Sequence, residues 1–301
     1  MIKLDLSATP FAPLSAHLMD LLHELDGQNV PLIVVGGYSL FLRRLIVEQT
    51  GSRSLYAFIP PVRATEDFDI VLKLELLADP VRVLHLAAAI ERLGYDVLKD
   101  AARYQFCKPG TAWEGHRDVK IDLLARQPGP ADPQLPYDER RIFPKGKKKG
   151  NPLHARCTPE AIAAEDGLTE VALAGQRTSM EAYEGTVFLP SPYAIYLMKL
   201  FAFRDEETGK KRGERELYAR KHALDLYTLT SLLTEVEYDN LQAYRERYGS
   251  HPAAQDASSI VAEFFSRPDS KGALRIQEHP DFPGTSELDD FLALLAEIFP
   301  P

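Results

Sequence analysis

The stretch TEDFDIVL (65–72) places two carboxylates at the start of an apolar run. The β-branched and other apolar residues that end this stretch predict a β-strand. Asp67 and Asp69 are two positions apart, so in a strand their side chains leave one face and Phe68 leaves the other. Because neighbouring carboxylates repel each other unless a proton or cation lies between them, the pair predicts a metal site, or else a charged strand end without a function.

The composition is that of a globular protein with an acidic balance of charge. The chain has 301 residues, which favours two domains or one domain with a large appendage. It contains 45% hydrophobic residues and 26% charged residues, and its formal charge is −9. This charge argues against nucleic-acid binding over the whole surface. Cys107 and Cys157 form no CxxC motif, which argues against a disulfide scaffold or zinc knuckle. The N-terminal segment lacks the pattern of a signal peptide and no apolar run is long enough to span a bilayer, so we expect a cytoplasmic protein without membrane association.

The N-terminal half alternates predicted strands and helices. The segment VPLIVVGG (30–37) is a short β-branched run that ends at a glycine pair, which predicts a buried strand followed by a helix. Asp79 and Pro80 are typical of a helix start, and Gly94 is typical of the residue after its end. The predicted elements are a helix at 15–27, a strand at 30–37, helices at 38–49 and 79–94, and strands at 66–74 and 117–125. The segments YDVLK and ARYQFCK are predicted to form either a hairpin or sequential strands.

The character of the chain changes after residue 126. The segment that follows carries Pro, Gly and charged residues without a period, which predicts an irregular connection that ends in a short β region. From residue 191 the pattern is helical and begins with Ser191 as a cap. We therefore predict an α+β protein with a mixed β-sheet flanked by helices (1–126), an irregular and β connection (127–190) and a mainly helical C-terminal domain (191–301).

The glycine pair at the end of the first long strand has two interpretations. Gly36 and Gly37 let a phosphate approach the backbone, and the first N–H groups of the next helix point at it. Ser39 could bond a phosphate oxygen in such a site. A tight turn with Ser39 in the first turn of the helix explains the same residues.

A third carboxylate lies in the later strand segment VKIDLLA. Because an unpaired buried charge is unfavourable, Asp122 in an interior strand needs a partner; a salt bridge or a place on an edge strand is the alternative. Together with Asp67 and Asp69 it gives an oxygen-rich set on two strands, which suits Mg²⁺. Two metal ions at such a site hold the attacking and leaving oxygens of a phosphoryl or nucleotidyl transfer. The sequence carries no P-loop and no G-x-S-x-G motif.

The segments VVGGYSLFL, RATEDFDIVL and VKIDLL resemble the polymerase-β-like nucleotidyltransferase superfamily, whose pattern is a glycine pair, D-x-D and a third Asp. The match is similar to the branch of AbiEii-type nucleotidyltransferase toxins, which belong to type IV toxin–antitoxin systems. Arg63 and Thr65 precede the D-x-D as in that branch. The resemblance implies that 1–126 is a nucleotidyltransferase catalytic domain, with metals held by Asp67, Asp69 and Asp122, and the NTP phosphates bound over Gly36, Gly37 and Ser39 with Thr65 nearby.

The helical half carries a second match to the same branch. Lys199 lies in the segment KLFA, and Asp225 precedes Leu-Tyr in a later helix. The resemblance implies that Lys199 neutralises the leaving phosphate and that Asp225 bonds Lys199 or orients the nucleotide. The alternatives are a lysine that reaches solvent along a helix face and an aspartate paired with Lys221 at i−4. An acidic residue is frequent in that branch near the position of His222, which leaves this histidine without an implied role.

The sequence therefore predicts a Mg²⁺-dependent nucleotidyltransferase that moves an NMP from an NTP to an acceptor hydroxyl. The first acceptor expected from the resemblance is the 3′ end of tRNA, for a toxin-like protein with a cognate antitoxin as partner. The basic segments 140–150 and 208–222 would then hold RNA, with Phe143 or Tyr218 stacking a base; otherwise they are solvated loops. The alternatives are a protein or small-molecule (antibiotic-like) hydroxyl as acceptor, and a non-catalytic nucleotide- or partner-binding module.

Overall fold

The computed structural model divides the chain into two compact units. The first unit consists of residues 1–39, 64–159 and 164–190, and the second consists of 40–63, 160–163 and 191–301. The structure describes residues 2–62, 65, 67–98, 102–110, 118–146, 151–209, 214–284 and 287–300. Arg63, which was expected to precede the metal site, lies outside the described residues.

The first unit is built on one mixed sheet. Its strand order is β1-β9-β10-β2-β3-β6-β5-β4, while β8 pairs with the end of β6 and β7 pairs with β8. Among the described residues the ten strands are β1 (Ile2–Asp5), β2 (Ile33–Val35), β3 (Asp67–Val71), β4 (Asp96–Val97), β5 (Gln105–Lys108), β6 (Val119–Ala125), β7 (Arg141–Ile142), β8 (Ala155–Cys157), β9 (Thr169–Gln176) and β10 (Ala182–Leu189).

Along the sequence, the helices of the first unit lie between these strands. Asp79 caps its helix as predicted, because its carboxylate accepts from the backbone N–H groups of Val81 and Arg82. The helix that follows the glycine pair begins at Gly36, directly after β2. The bounds are α1 (Ala12–Glu24), α2 (Gly36–Thr50), α3 (Leu74–Leu77) and α4 (Pro80–Arg92); the part of α2 after Ser39, and the part of a 3-10 turn (Pro159–Ala161) after Pro159, belong to the second unit.

The two faces of β3 and β6 differ in polarity. Phe68 and Ile70 on β3, and Ile121 and Leu123 on β6, are buried on one face. The alternating residues of both strands, including Asp67, leave the opposite face. The alternation predicted from the sequence is therefore confirmed, and so is the hairpin, since β4 and β5 pair antiparallel.

The second unit is helical. Ser191 caps its first long helix as predicted and accepts from the backbone N–H of Ala194. Thr234 and Glu237 form a capping box at a later helix start. The helices, beyond the part of α2 that follows Ser39, are α5 (Pro192–Thr208), α6 (Glu214–Leu232), α7 (Glu235–Tyr248), α8 (Pro252–Phe264), α9 (Lys271–Gln277) and α10 (Leu288–Ile298).

These elements confirm the predicted α+β class, with a mixed sheet flanked by helices and a helical C-terminal region. Residues 127–190, predicted as an irregular and β connection, contain β7 to β10, and these strands extend the sheet of the first unit. Of the helices in the described part of the chain, none is both long and apolar enough to cross a membrane.

Candidate active site

Four residues form a row across the sheet of the first unit. Val35 at the end of β2 pairs with Asp69, and Asp69 pairs with Asp122 in the parallel β3–β6 ladder. Asp122 pairs in turn with Gln105 of β5. Since residues paired in register project their side chains from one face, the two carboxylates and the glutamine amide share the polar face of the sheet. Asp67, two residues before Asp69, projects from this face as well.

The turn between β2 and α2 closes one side of the row. Gly36 has a φ of +69°, and the carboxylate of Asp69 occupies the space that a β-carbon on Gly36 would fill. A glycine is required here on both counts. Ser39 is fully buried, and its hydroxyl donates to the carbonyl of Gly36 at 2.9 Å. Ser39 thus stabilises the turn, and phosphate binding by Gly36, Gly37 and Ser39 stays a prediction.

The start of β3 fixes the second carboxylate. Thr65 is buried, and its hydroxyl donates to Oδ1 of Asp67 at 2.5 Å. The Asp67 carboxylate is therefore held by a residue two positions earlier in the chain. The role that the structure supports for Thr65 is to orient Asp67, and its predicted contact with a nucleotide stays a prediction.

Asp122 is the third carboxylate, and it lies on an interior strand between β3 and β5. The Gln105 side chain donates from Nε2 to its Oδ2 at 2.8 Å, whereas Oδ1 is buried and accepts no hydrogen bond from the described residues. The alternatives of an edge strand and of a salt bridge are therefore wrong for the part of the chain that the structure describes.

Several effects act on the pKa of the Asp122 carboxyl. Burial raises the pKa of this carboxyl above its usual value, and the negative charge of Asp67 adds to the rise. The amide of Gln105 and the positive charges of Arg156 and Lys120 oppose it. A buried carboxylate oxygen without a donor near two other carboxylates is a place where a cation or a proton is stabilising.

The three aspartates do not form a complete metal cage. No group of three or more His, Cys, Asp and Glu side chains in the described residues is arranged to hold a metal ion. Mg²⁺ in nucleotide enzymes is commonly held by one or two carboxylates together with substrate phosphates. The carboxylates of Asp67 and Asp69 suit that kind of shared site, and Asp122 as a third metal ligand stays a prediction.

Lys199 and Asp225 belong to the second unit. Nζ of Lys199 donates to Oδ2 of Asp225 at 2.5 Å, and both side chains are nearly fully buried. Lys199 therefore does not reach solvent along a helix face. Its pairing with Asp225 confirms one of the two roles predicted for Asp225, that of bonding Lys199. The ammonium of Lys221 lies over the ring of Tyr218 at 4.8 Å from its centroid.

The basic segments are only partly described. Arg141 is bound to Asp138 through two nitrogens and lies 5.0 Å from the ring centroid of Phe143. Phe143 is buried, so the prediction that its ring is available to stack a base is wrong. Tyr218 is half exposed. Residues 147–150 and 210–213, which carry most of the lysines of both segments, lie outside the described residues.

Sequence reasoning missed two residues of this face. Gln105 contacts Asp122 directly, and Arg156 of β8 acts on its charge. Arg156 pairs in register with Leu124, two residues after Asp122, and so projects from the polar face. The only signal for either residue is strand pairing, and the order of the strands in the sheet is not written in the local sequence.

No protein-family model matches the chain, and no curated protein matches it. Two solved structures of the antibiotic-resistance factor ANT(2'')-Ia are similar. The solution structure is 15% identical, with 78% of this chain and 95% of that chain covered and a TM-score of 0.34. The crystal structure with adenylyl-2''-tobramycin is 17% identical, with 77% and 96% covered and a TM-score of 0.30. Neither likeness is close enough to say more about this chain.

Proposed function

We propose that the protein is a metal-dependent nucleotidyltransferase, which moves an NMP from an NTP to an acceptor hydroxyl. The observation that carries the proposal is the row across the sheet. Asp69 lies against the glycine turn of α2 on one side, and Asp122 beside it keeps a buried oxygen without a donor. Carboxylates that lie side by side at a backbone turn repel each other. They suit a Mg²⁺–triphosphate, since the cation offsets the negative charge of both the carboxylates and the phosphates.

The residues of this face in the first unit would each have a role in the reaction. The N–H groups at the start of α2 would bind the phosphates, and Asp67 and Asp69 would hold Mg²⁺, which stabilises the charge on the phosphates when bound. Asp122 would accept the proton of the acceptor hydroxyl. The hydroxyl oxygen attacks the α-phosphorus, the bond from that phosphorus to the bridging oxygen breaks, and pyrophosphate leaves. The chain's contribution is positioning and electrostatics.

We propose that Lys199 and Asp225 take no part in this reaction. Each satisfies the other inside the second unit. A lysine held by a buried carboxylate is already neutralised, so it is a weaker partner for a phosphate than an unpaired one. We propose that the pair stabilises the fold of the second unit.

For the acceptor, we propose a small-molecule hydroxyl. The acidic balance of the chain and the burial of Phe143 both weigh against an RNA surface. A tRNA 3′ end, and with it a toxin-like role that an antitoxin would restrain, is retained as an outcome of the test.

The test is transfer of label from α-³²P NTPs in the presence of Mg²⁺. Acceptors are offered in separate reactions: an aminoglycoside set that includes tobramycin, total tRNA, and a protein lysate. We expect label on small molecules with the wild type and with Asp96→Asn, a control at an exposed residue of β4, and none with Asp69→Asn. Label on tRNA alone would replace the acceptor class. If neither the wild type nor Asp69→Asn labels any acceptor, the proposed enzyme activity is wrong, and the alternative of a non-catalytic binding module is favoured.

A further inference from the structure

Gln105 and Asp122 face each other across the β5–β6 ladder. They are paired in register, and the Gln105 side chain donates from Nε2 to Asp122 Oδ2 at 2.8 Å. The second oxygen of Asp122 is buried and accepts nothing from the described residues. The two oxygens of the Asp122 carboxylate therefore differ: Oδ2 accepts a hydrogen bond from Gln105, whereas Oδ1 is left for another group.

The amide is held on a rigid element. β5 pairs with β6 over four residues on one side, and with β4 on the other. The ladder continues beyond it, since the backbone N–H of Leu123 donates to the carbonyl of Tyr104 at 2.8 Å. Side chains that start from paired strands keep their direction better than side chains on loops.

The choice of a neutral donor has a chemical consequence. A carboxylate can rotate about its Cβ–Cγ bond and exchange its two oxygens, because terminal torsions of this kind have broad minima. A hydrogen bond to one oxygen fixes the rotation. Arg or Lys in the same place would also cancel the charge of the carboxylate, whereas an amide orients it without cancelling its charge.

We propose that Gln105 is a positioning residue, which holds Asp122 through Oδ2 and so fixes the direction of Oδ1 for the nucleotidyl transfer step. The inference rests on the proposed nucleotidyl transfer. Because Gln105 acts through Asp122 and not through the glycine turn, its loss changes the rate of the transfer step and leaves binding of the NTP unchanged.

The experiment compares three variants with the wild type, using the acceptor found by label transfer. Gln105→Leu removes the donor, and Gln105→His places a ring N–H at a similar reach. Gln127→Leu is the matched control, since Gln127 follows β6 and is exposed. We expect Gln105→Leu to lower kcat by about 10- to 100-fold with KM for the NTP within about twofold, Gln105→His to recover most of the rate, and Gln127→Leu to match the wild type. The melting midpoint of each variant is measured alongside.

Two results would overturn the inference while the wild type transfers nucleotide. One is a folded Gln105→Leu variant with unchanged kcat. The other is a fall in kcat that Gln105→His does not relieve and that follows a fall in the melting midpoint, because this pattern belongs to a residue that only stabilises the sheet. A wild type that transfers nothing would overturn the proposed function, and this inference with it.

Discussion

The carboxylate of Asp69 fills the space that a β-carbon on Gly36 would occupy, with its Cγ 2.8 Å from that position. This relationship joins the glycine turn to the acidic strand in one unit of structure. The turn exists in this form because Gly36 adopts a φ of +69°, and the acidic strand approaches so closely because no side chain stands between them. The two motifs that the sequence shows thirty-odd residues apart are thus in direct contact in the fold.

Gly36→Ala separates the effect of backbone strain from the effect of the contact. Alanine in this left-handed conformation costs roughly 1–2 kcal/mol, and at Gly36 its methyl group also displaces Asp69. Gly27 has the same φ of +69° with open space around it, so Gly27→Ala carries the strain alone. We expect Gly36→Ala to lower nucleotidyl transfer by about 100-fold or more and Gly27→Ala to leave it unchanged. Label transfer and urea unfolding measure the two effects, and equal activity of both variants would show that the contact does not matter.

The buried pair of Lys199 and Asp225 predicts a strong coupling in stability. Removing one partner leaves the other charge buried without it, so Lys199→Met or Asp225→Leu alone should lower the free energy of unfolding by about 3–5 kcal/mol. The double substitution should recover most of this loss, since apolar residues of similar volume replace an ion pair at little cost. Urea unfolding of the four proteins gives the coupling energy.

Activity of the same double variant decides between structure and catalysis. If the pair serves only the fold of the second unit, as proposed, a folded double variant should transfer nucleotide within about threefold of the wild type. A rise in KM for the NTP without a loss of stability would show that Lys199 takes part in the reaction, as the sequence resemblance implied.

Glu165 predicts a pH dependence of stability in the first unit. Burial raises the pKa of its carboxyl to about 6, against an opposing effect of Arg126, whose Nε lies 3.1 Å away. Below its usual pKa of 4.5 the group is protonated in both states; the penalty of ionising it in the folded state grows from there to about pH 6 and is complete above it. The shift from 4.5 to about 6 corresponds to about 2 kcal/mol.

The substitution Glu165→Gln removes this penalty. We expect it to raise the free energy of unfolding by about 1–2 kcal/mol at about pH 7.5 and by almost nothing at about pH 4. Glu170→Gln, at an exposed residue of β9, is the control and should change stability at neither pH. A Glu165→Gln variant that is less stable than the wild type at the higher pH would show that the ion pair with Arg126 outweighs the burial of the charge.

The sequence predicts much of the polar face, for a physical reason. Alternation with period 2 places Asp67 and Asp69 together, and the single Asp of an apolar strand marks a third carboxylate. The same reasoning fails for Gln105, because its importance comes from lying opposite Asp122, and the pairing of strands that are distant in sequence depends on the whole sheet. Gln105 also carries no charge, so nothing in its own segment marks it.

Two further side chains have contacts that their local composition does not indicate. Phe143 stands in a segment of Pro, Gly and Lys that resembles a solvated loop, yet its ring packs against His154 and beneath Arg141. Lys199 stands among apolar helix residues, and its partner is 26 positions away on the next helix. In both cases tertiary packing decides what the side chain contacts, and local composition does not contain that information.

The most direct test of the central claim does not require the acceptor. Mn²⁺ binding is measured by electron paramagnetic resonance with an α,β-methylene NTP analogue, for the wild type, Asp69→Asn and the control Asp96→Asn. The account predicts that the analogue and Mn²⁺ each strengthen binding of the other, and that Asp69→Asn weakens this binding by at least about tenfold while Asp96→Asn does not. Equal binding by the wild type and Asp69→Asn, or no binding by either, would contradict a metal–nucleotide site at the Gly36–Asp69 contact.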